Sequence, residues 1–415
     1  MRIAFLTPVY PPMVSGASIG IHRLSNSMAA RGHTVLVITS SDGPKPYNTQ
    51  EGNLSTLRLR SFRNPLRVGQ RVVRWPEQEV LKRLENFSPD ILHVSDPLQF
   101  ALPGLKFSEK NKIPGVYAIQ QLPWFITSYL PSISWLQKGL EKILWAYGNW
   151  LIGQFDAVVT PTRTIAKIVK EHTNITPHTI SNGVELELFK PGLSENQSNN
   201  ALRKKLGVPF DIPIILHVGR LDYDKKVDVA ITACAPVLIQ TKAHMLVVGD
   251  GRERERLTRL AYELGIASKC HFTGFVSITD GLADIYRLAS AFIITSQIET
   301  QGIVLLEAAA SGIPIVAIDS TCIPEIVLHN VNGFLVSPGQ LERMESYLTQ
   351  LIQDPSRARK MGMEGRKIAL NHSIEKSMDI YEKLLIKCYQ TSSRREQLKI
   401  TNQKLERRYF KIFHK

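Results

Sequence analysis

Residues 294–319 read ITSQIETQGIVLLEAAASGIPIVAID. The stretch leaves one β-branched apolar run, AFIITS, and enters another, PIVAI. Between them lie Glu299, Gly302, an apolar segment of helical length, and Gly312. A glycine past the last apolar residue is an ordinary helix stop. The spacing predicts a strand, a loop carrying Glu299, a helix from near Ile303, and a second strand. That is one parallel βαβ unit. It puts Glu299 ahead of the helix and Glu307 in its second turn. The helix N-terminus between them offers free amides to an anion. The flanks of Glu307, IVLL and AAASG, are apolar, so this carboxylate is expected to be buried with a partner rather than solvated.

The same alternation runs through the whole chain. RIAFL, TVLVIT, DILHVS, GVYAI and AVVT recur in the first half, and PIILHVG, HMLVVG, AFIITS, PIVAI and GFLV in the second. Two such series in 415 residues predict an α/β protein with two Rossmann-like domains, facing across a cleft. The turn-rich segment SNGVELELFKPGLSENQSNN divides them. The expected organisation is a first domain over 1–190, a second over 200–372, a helix over 373–390 packing back on the first domain, and a basic tail over 391–415. Ligands of open parallel sheets bind beyond the strands' carboxyl ends, and the polar motifs follow strands as that rule requires.

Charge is distributed unevenly. Residues 1–185 hold 20 Lys/Arg against 12 Asp/Glu, residues 186–390 hold 23 against 23, and residues 391–415 hold 8 against 2. The net +14 therefore belongs to the first half and the tail, and favours an anionic partner. A nucleic-acid module is not among the motifs, and no aromatic residues interleave on a basic strand, so nucleic acid is not the expected partner. The first strand's turn lacks GxGxxG, which argues against a nicotinamide dehydrogenase. Cys234, Cys270, Cys322 and Cys388 show no CxxC spacing and read as reduced thiols of a cytoplasmic protein. The uncharged stretch from Ile113 to Gln137 is broken by Pro114, Pro123 and Pro131, so a spanning helix is not expected.

Within HVGRLDYDKK, Arg220 directly follows Gly219 at a strand end, and Lys225 lies five residues on. Two cations at a strand mouth suit a diphosphate and would stabilise one as it departs. Asp222 and Asp224 form a DxD string, but between two phosphate cations a metal is redundant, and a turn is the plainer reading.

Together these residues resemble the GT-B fold glycosyltransferases of family 4. Glu299 and Glu307 meet the EX7E pattern, GRLDYDKK the donor-phosphate motif, and YPPMVSGASIGIHRLSNSMAARGHTV the N-terminal glycine loop and helix. ISNGVELELFKP, VVGDGRERERL and FTGFVS add further landmarks up to about residue 385. The resemblance implies a retaining, metal-independent hexosyltransferase with no cofactor and a nucleotide-sugar donor, UDP-glucose by family precedent. Arg220 and Lys225 would grip the diphosphate, with Glu299 completing the catalytic set. Gly302, Ile303 and Val304 would offer amides, Glu307 would take the ribose, Val276 would lie along the base, and Gly16 would approach the donor phosphate. A donor phosphate oxygen would take the acceptor proton. Relatives often carry a histidine after the first domain's fourth strand; this chain has Gln121 there, which can hydrogen-bond but not ionise. That departure keeps a non-catalytic, sugar-nucleotide-binding partner subunit as the alternative of another class. His22 and His93 are further candidates for positioning sugar or acceptor.

The acceptor side shows two features. Arg63, Arg67, Arg71 and Arg74 fall at helical spacing in a segment without acids that ends at Trp75. Residues 113–155 hold only Lys138, Glu141 and Lys142 as charges, with Trp124, Trp135, Trp145 and Trp150. Arginine beside tryptophan suits an anionic membrane surface. The stripe Leu136, Leu140, Ile143, Leu144, Tyr147 and Leu151 is expected to be core, leaving Trp135, Trp145 and Lys142 to face the membrane. Within family 4, the ETQG wording and the Arg-rich first half resemble the lipid-glycosylating members. The expected acceptor is therefore a lipid such as diacylglycerol or a glycolipid, met by a peripheral enzyme on the inner face of the cell membrane. A polysaccharide or soluble small molecule is the alternative.

Overall fold

The computed structural model describes residues 1–13, 15–64, 71–74, 76–124, 134–192 and 197–392. It divides into two units: Met1–Thr160, Ala166–Ile180 and Met378–Lys415 form the first, and Pro161–Ile165 with Ser181–Ser377 the second.

In the first unit the apolar runs become β1 (Arg2–Leu6), β2 (Thr34–Ser40), β3 (Tyr47–Glu51), β4 (Leu54–Leu59), the short pair β5 (Ser61–Arg63) and β6 (Arg71–Val73), β7 (Ile91–Val94), β8 (Gly115–Ala118), β9 (Ala157–Thr160) and β10 (His178–Thr179). The main sheet runs β10-β9-β8-β7-β1-β2-β4-β3, parallel except for the exposed edge strand β3. Chain order reverses between β1 and β7, which is the switch point of this unit. The helix at Gly16–Ala30 starts on an Ser15 cap, whose hydroxyl accepts from the Ser18 amide.

The second unit holds β11 (Ile214–Val218), β12 (His244–Val248), β13 (Cys270–Gly274), β14 (Ala291–Ile294), β15 (Ile315–Ile318) and β16 (Gly333–Val336). They form one parallel sheet in the order β13-β12-β11-β14-β15-β16, the doubly wound arrangement, with its switch point between β11 and β14. Both faces are covered, as a parallel sheet of continuous apolar strands requires. Ile214, Leu216 and Phe292 pack on one side; Ile215, Val247 and Ile293 pack on the other.

The units divide earlier than the turn-rich segment suggested. Residues 181–190 belong to the second unit, because Val184 and Phe189 are fully buried in its core. Arg366 holds this segment in place: its guanidinium donates to the carbonyls of Leu186 (3.2 Å), Phe189 (2.5 Å) and Ala310 (2.5 Å). Pro161–Ile165 joins the second unit because Glu325 accepts from the amides of Arg163 (3.0 Å) and Thr164 (2.6 Å). The last described helix spans 374–392 and lies in the first unit from Met378 on. There Glu382 binds Arg31 (2.7 Å) and His33 (2.8 Å), and Tyr381 meets His93 (3.1 Å).

Where it is described, the arginine segment is strand and not helix. Ser61, Phe62 and Arg63 pair antiparallel with Val73, Val72 and Arg71, as β-branched residues beside an aromatic favour. Arg67, Trp75 and the basic tail beyond 392 lie outside the described residues.

Candidate functional site

Two loops leave the second sheet at its switch point, one after β11 and one after β14, and they carry the charged motifs. After β11 the chain makes a short 3-10 turn, Tyr223–Lys225. Arg220 pairs with Asp222 and, at 3.0 Å, with Asp224, which is buried. The two acids of the DxD string thus hold a guanidinium in place, and Asp222 also accepts from the Arg252 amide at 3.3 Å. Gly249 lets β12 close against this turn, since a Cβ there would stand 1.8 Å from the Gly219 carbonyl oxygen.

After β14, Thr295 donates to the Lys226 carbonyl at 2.6 Å and ties the two loops together. Lys225 Nζ then reaches Glu299 Oε1 at 2.6 Å, with both side chains largely buried. Gly302 follows at φ +71°, a conformation that L side chains rarely adopt, and opens the helix Ile303–Ala310. Glu307 is 2% exposed, and Tyr286 donates its hydroxyl to Oε2 at 3.0 Å. Val276, in the loop after β13, packs on the same core face as Val304. Beneath the loops His217 is buried, and burial holds its pKa down at about 4. Its Nδ1–H donates to the Ile293 carbonyl at 3.1 Å, and a carbonyl partner fixes that tautomer. An arrangement of two cations held by Asp222, Asp224 and Glu299, beside a helix N-terminus at a switch point, is suited to a diphosphate ester of a sugar.

Residues 198–368 match the glycosyl transferases group 1 family, and residues 14–188 match glycosyltransferase family 4. An uncharacterised glycosyltransferase of Methanocaldococcus jannaschii is 30% identical over 349 residues, covering 81% of this chain and 85% of its own. This chain belongs to the family 4 glycosyltransferases. It acts on a nucleotide sugar. The alpha-monoglucosyldiacylglycerol synthase of Streptococcus pneumoniae is 26% identical over 361 residues, 86% of this chain and 79% of that one. Among solved structures, the sucrose-phosphate synthase from Thermosynechococcus elongatus superposes with a TM-score of 0.77 at 20% identity, covering 94% of this chain and 99% of that one. The glycosyltransferase therefore has the GT-B fold.

In this glycosyltransferase Arg220, Lys225, Glu299, Gly302, Ile303, Val304, Glu307 and Val276 all fall in the second unit. Gly16, His22, Gln121 and His93 all belong to the first. Gly16 is the first residue of its helix. Gln121 and His22 are exposed. His93 is fully buried in β7, hydrogen-bonded to Tyr381, and burial lowers its pKa to about 3.

The helix Ser134–Ile152 presents a different face from the one expected. Trp135, Leu136, Ile143 and Trp150 are 76%, 41%, 66% and 50% exposed, and they share one side with Gly139 and Ala146. Lys138 and Lys142 flank that side. Leu136 and Ile143 are therefore surface, not core. Trp145 is half-buried, stacked on His172 at 4.3 Å, and is not on the exposed face. Arg71 turns back on its own strand pair, donating to the Ser61 hydroxyl (2.7 Å) and carbonyl (2.9 Å); Arg63 and Arg74 are exposed. Among the described residues no helix is long and apolar enough to cross a membrane.

Sequence reasoning missed Tyr286, Thr295 and His217. Tyr286 sits in an unremarked helix, Leu282–Leu288, and its one signal was the expectation that Glu307 is buried with a partner.

Proposed function

We propose that this glycosyltransferase is retaining and needs no metal, and that it moves a hexose from UDP-glucose or a similar donor to a hydroxyl of a membrane lipid such as diacylglycerol. Arg220 and Lys225 hold the donor diphosphate and carry its charge as it leaves. Glu299 exchanges its bond to Lys225 for sugar hydroxyls, and Glu307, oriented by Tyr286, accepts from the ribose. Gly302, Ile303 and Val304 supply amides, Val276 lies along the base, and Gly16 approaches the donor phosphate. Gln121 and His22 remain acceptor-side positioning residues in this reading. The attacking hydroxyl's proton passes to a donor phosphate oxygen, so no histidine is needed.

The lipid acceptor rests on one observation above the others. A 19-residue helix leaves Trp135, Leu136, Ile143 and Trp150 on its solvent side, beside two lysines. Apolar rings flanked by cations are what an anionic interface takes up. The acceptor named in the Streptococcus pneumoniae relative supports the same reading. In this reading the protein is peripheral on the cytoplasmic face of the membrane.

The test is a partition assay. The protein is incubated with anionic vesicles containing diacylglycerol and with labelled UDP-glucose, UDP-galactose or GDP-mannose in separate tubes. Label is expected in the organic phase, lost in Glu307→Gln. Nucleoside diphosphate release with only water-soluble labelled product would move the acceptor to a polysaccharide or small molecule.

A further inference from the structure

At the carboxyl ends of the first sheet, polar side chains gather on one face of one row. Thr39 and Arg58 are register partners on β2 and β4, and Tyr47 on β3 is the partner of Arg58 on its other side. Leu6 pairs with Ile38 and with Val94, so one residue further along, Thr7 is level with Thr39 and Ser95. The amide bonds from Thr7 to Ile38 and from Ser95 to Leu6 carry the ladder to that level. Residues level in a parallel ladder project to the same face. The Gly16–Ala30 helix covers it, for Tyr10 packs on Arg58 and bonds Ser25 of that helix at 2.8 Å.

Arg58 is 6% exposed, and no carboxylate among the described residues lies within ion-pair distance of it. Its Nη2 donates to the Pro11 carbonyl. Its Nε and Nη1 have no acceptor among the described residues, nor have the hydroxyls of Thr39, Ser95 and Ser18 a partner. The rings of Tyr10 and Tyr47, 5.7 Å and 5.3 Å from the guanidinium carbon, offset part of the charge but supply no acceptor atom. Buried polar groups in native proteins are almost all hydrogen-bonded, and a buried cation needs a counter-charge. Here a fixed cation and the Thr39 hydroxyl on the next strand are left unpaired, with Ser95 two strands further along the same face and Ser18 on the covering helix, at the end of the sheet where ligands bind.

We infer that this row is a binding site for a phosphate ester bearing free hydroxyls, so that the membrane-lipid acceptor is a phospholipid with an anionic, hydroxyl-bearing head group in place of diacylglycerol. The inference rests on the membrane-lipid reading above and narrows it. Nε–H and an Nη2–H are the parallel donors that match two phosphate oxygens, and Nη1 is left to a third acceptor. The Pro11 carbonyl occupies Nη2, so the Tyr10–Pro12 segment shifts when phosphate takes that place. Thr39, Ser95 and Ser18 donate to or accept from the neighbouring oxygens.

Calorimetric titration of the full chain tests it, with glycerol 3-phosphate, inorganic phosphate and glycerol as probes. Glycerol 3-phosphate is expected to bind and glycerol not. Arg58→Gln is expected to weaken glycerol 3-phosphate about tenfold or more, and Thr39→Val by about threefold, with UDP binding unchanged in both. If Arg58→Gln does not fold, as a melting curve will show, Thr39→Val carries the test alone. Glycerol 3-phosphate binding about tenfold tighter than inorganic phosphate assigns the site to a head group. Equal affinities reassign it to free phosphate and overturn the acceptor part. No binding up to about 10 mM, or binding that both variants retain, overturns the site itself. UDP binding in the same samples reads the donor site separately, so failure here leaves the glycosyltransferase reading standing.

Discussion

Glu299→Gln should separate the two things Glu299 does. Its carboxylate lies 2.6 Å from Lys225 Nζ, and the side chains keep only 13% and 18% of their exposure. A donor diphosphate must share Lys225 with that carboxylate and also sit near it. Two unit charges about 6 Å apart in a medium of effective dielectric about 20 repel by about 3 kcal/mol. Solvent at the mouth of the site and salt reduce this, and about half, roughly 1.5 kcal/mol, is expected to survive. Glutamine keeps the shape and removes the charge. UDP should therefore bind about tenfold more tightly to Glu299→Gln than to wild type. Turnover of the sugar nucleotide should move the other way. A neutral amide accepts a sugar hydroxyl less strongly than a carboxylate, so kcat should fall by about tenfold. Calorimetry with UDP at low and at physiological salt measures the first effect, and the gain should shrink as salt rises. Initial rates with labelled UDP-glucose measure the second. UDP affinity that is unchanged or weaker in Glu299→Gln at low salt would show that Lys225 takes no part in gripping the diphosphate, and the charge reasoning would be wrong.

Three further outcomes are expected. Tyr286→Phe removes the hydroxyl that orients Glu307 and should weaken donor binding about tenfold while kcat at saturating donor stays within about twofold, which equilibrium titration and steady-state rates will check. Arg366→Met leaves three backbone carbonyls without their shared donor and should lower stability by about 3 kcal/mol or more, read as a shift of the urea midpoint. His93 is neutral in the folded chain down to about pH 3, whereas an unfolded histidine protonates near 6.5. Its contribution is therefore whole above about pH 6.5 and lost as pH falls below it, by about 1.4 kcal/mol per unit, until the folded pKa is reached. His93→Gln should flatten the stability curve between about pH 6.5 and 5, and an unchanged slope would mean that another group sets it.

The parallel sheets were legible because their strands are buried on both faces and so read as unbroken apolar runs. The crossings between units were not. Their position depends on Val184 and Phe189 sinking into the second core and on Glu325 capping a helix more than a hundred residues earlier. No local spacing records such bonds. The strand pair of 61–63 with 71–73 was missed for a related reason. Arginines at a four-residue interval fit a helix face, but Phe62, Val72 and Val73 favour a pleated pair, and the pair wins where the two strands can meet. The tryptophan helix misled in the opposite sense: an apolar stripe is core only if something covers it, and Leu136 and Ile143 have no cover.

In the candidate site, the two glutamates were visible from their spacing because a short loop and the first turns of the helix set their separation. What holds Glu299 at the right height is distant in sequence. Thr162 donates to the Thr300 carbonyl at 2.9 Å. The Gln301 amide, 1% exposed, donates to the Ser181 hydroxyl at 2.6 Å and accepts from the Asn182 amide at 2.9 Å. Both segments where the chain re-enters the second unit are thus bonded to the residues directly after Glu299. The loop's shape is set by those crossings, and only then by its own glycine. A leucine in place of Gln301 would leave the Asn182 amide and the Ser181 hydroxyl without their buried partners. The damage would reach Glu299 two residues away while leaving the helix and Glu307 intact. The motif can be read as a string of letters, but its geometry is the joint product of three separate parts of the chain.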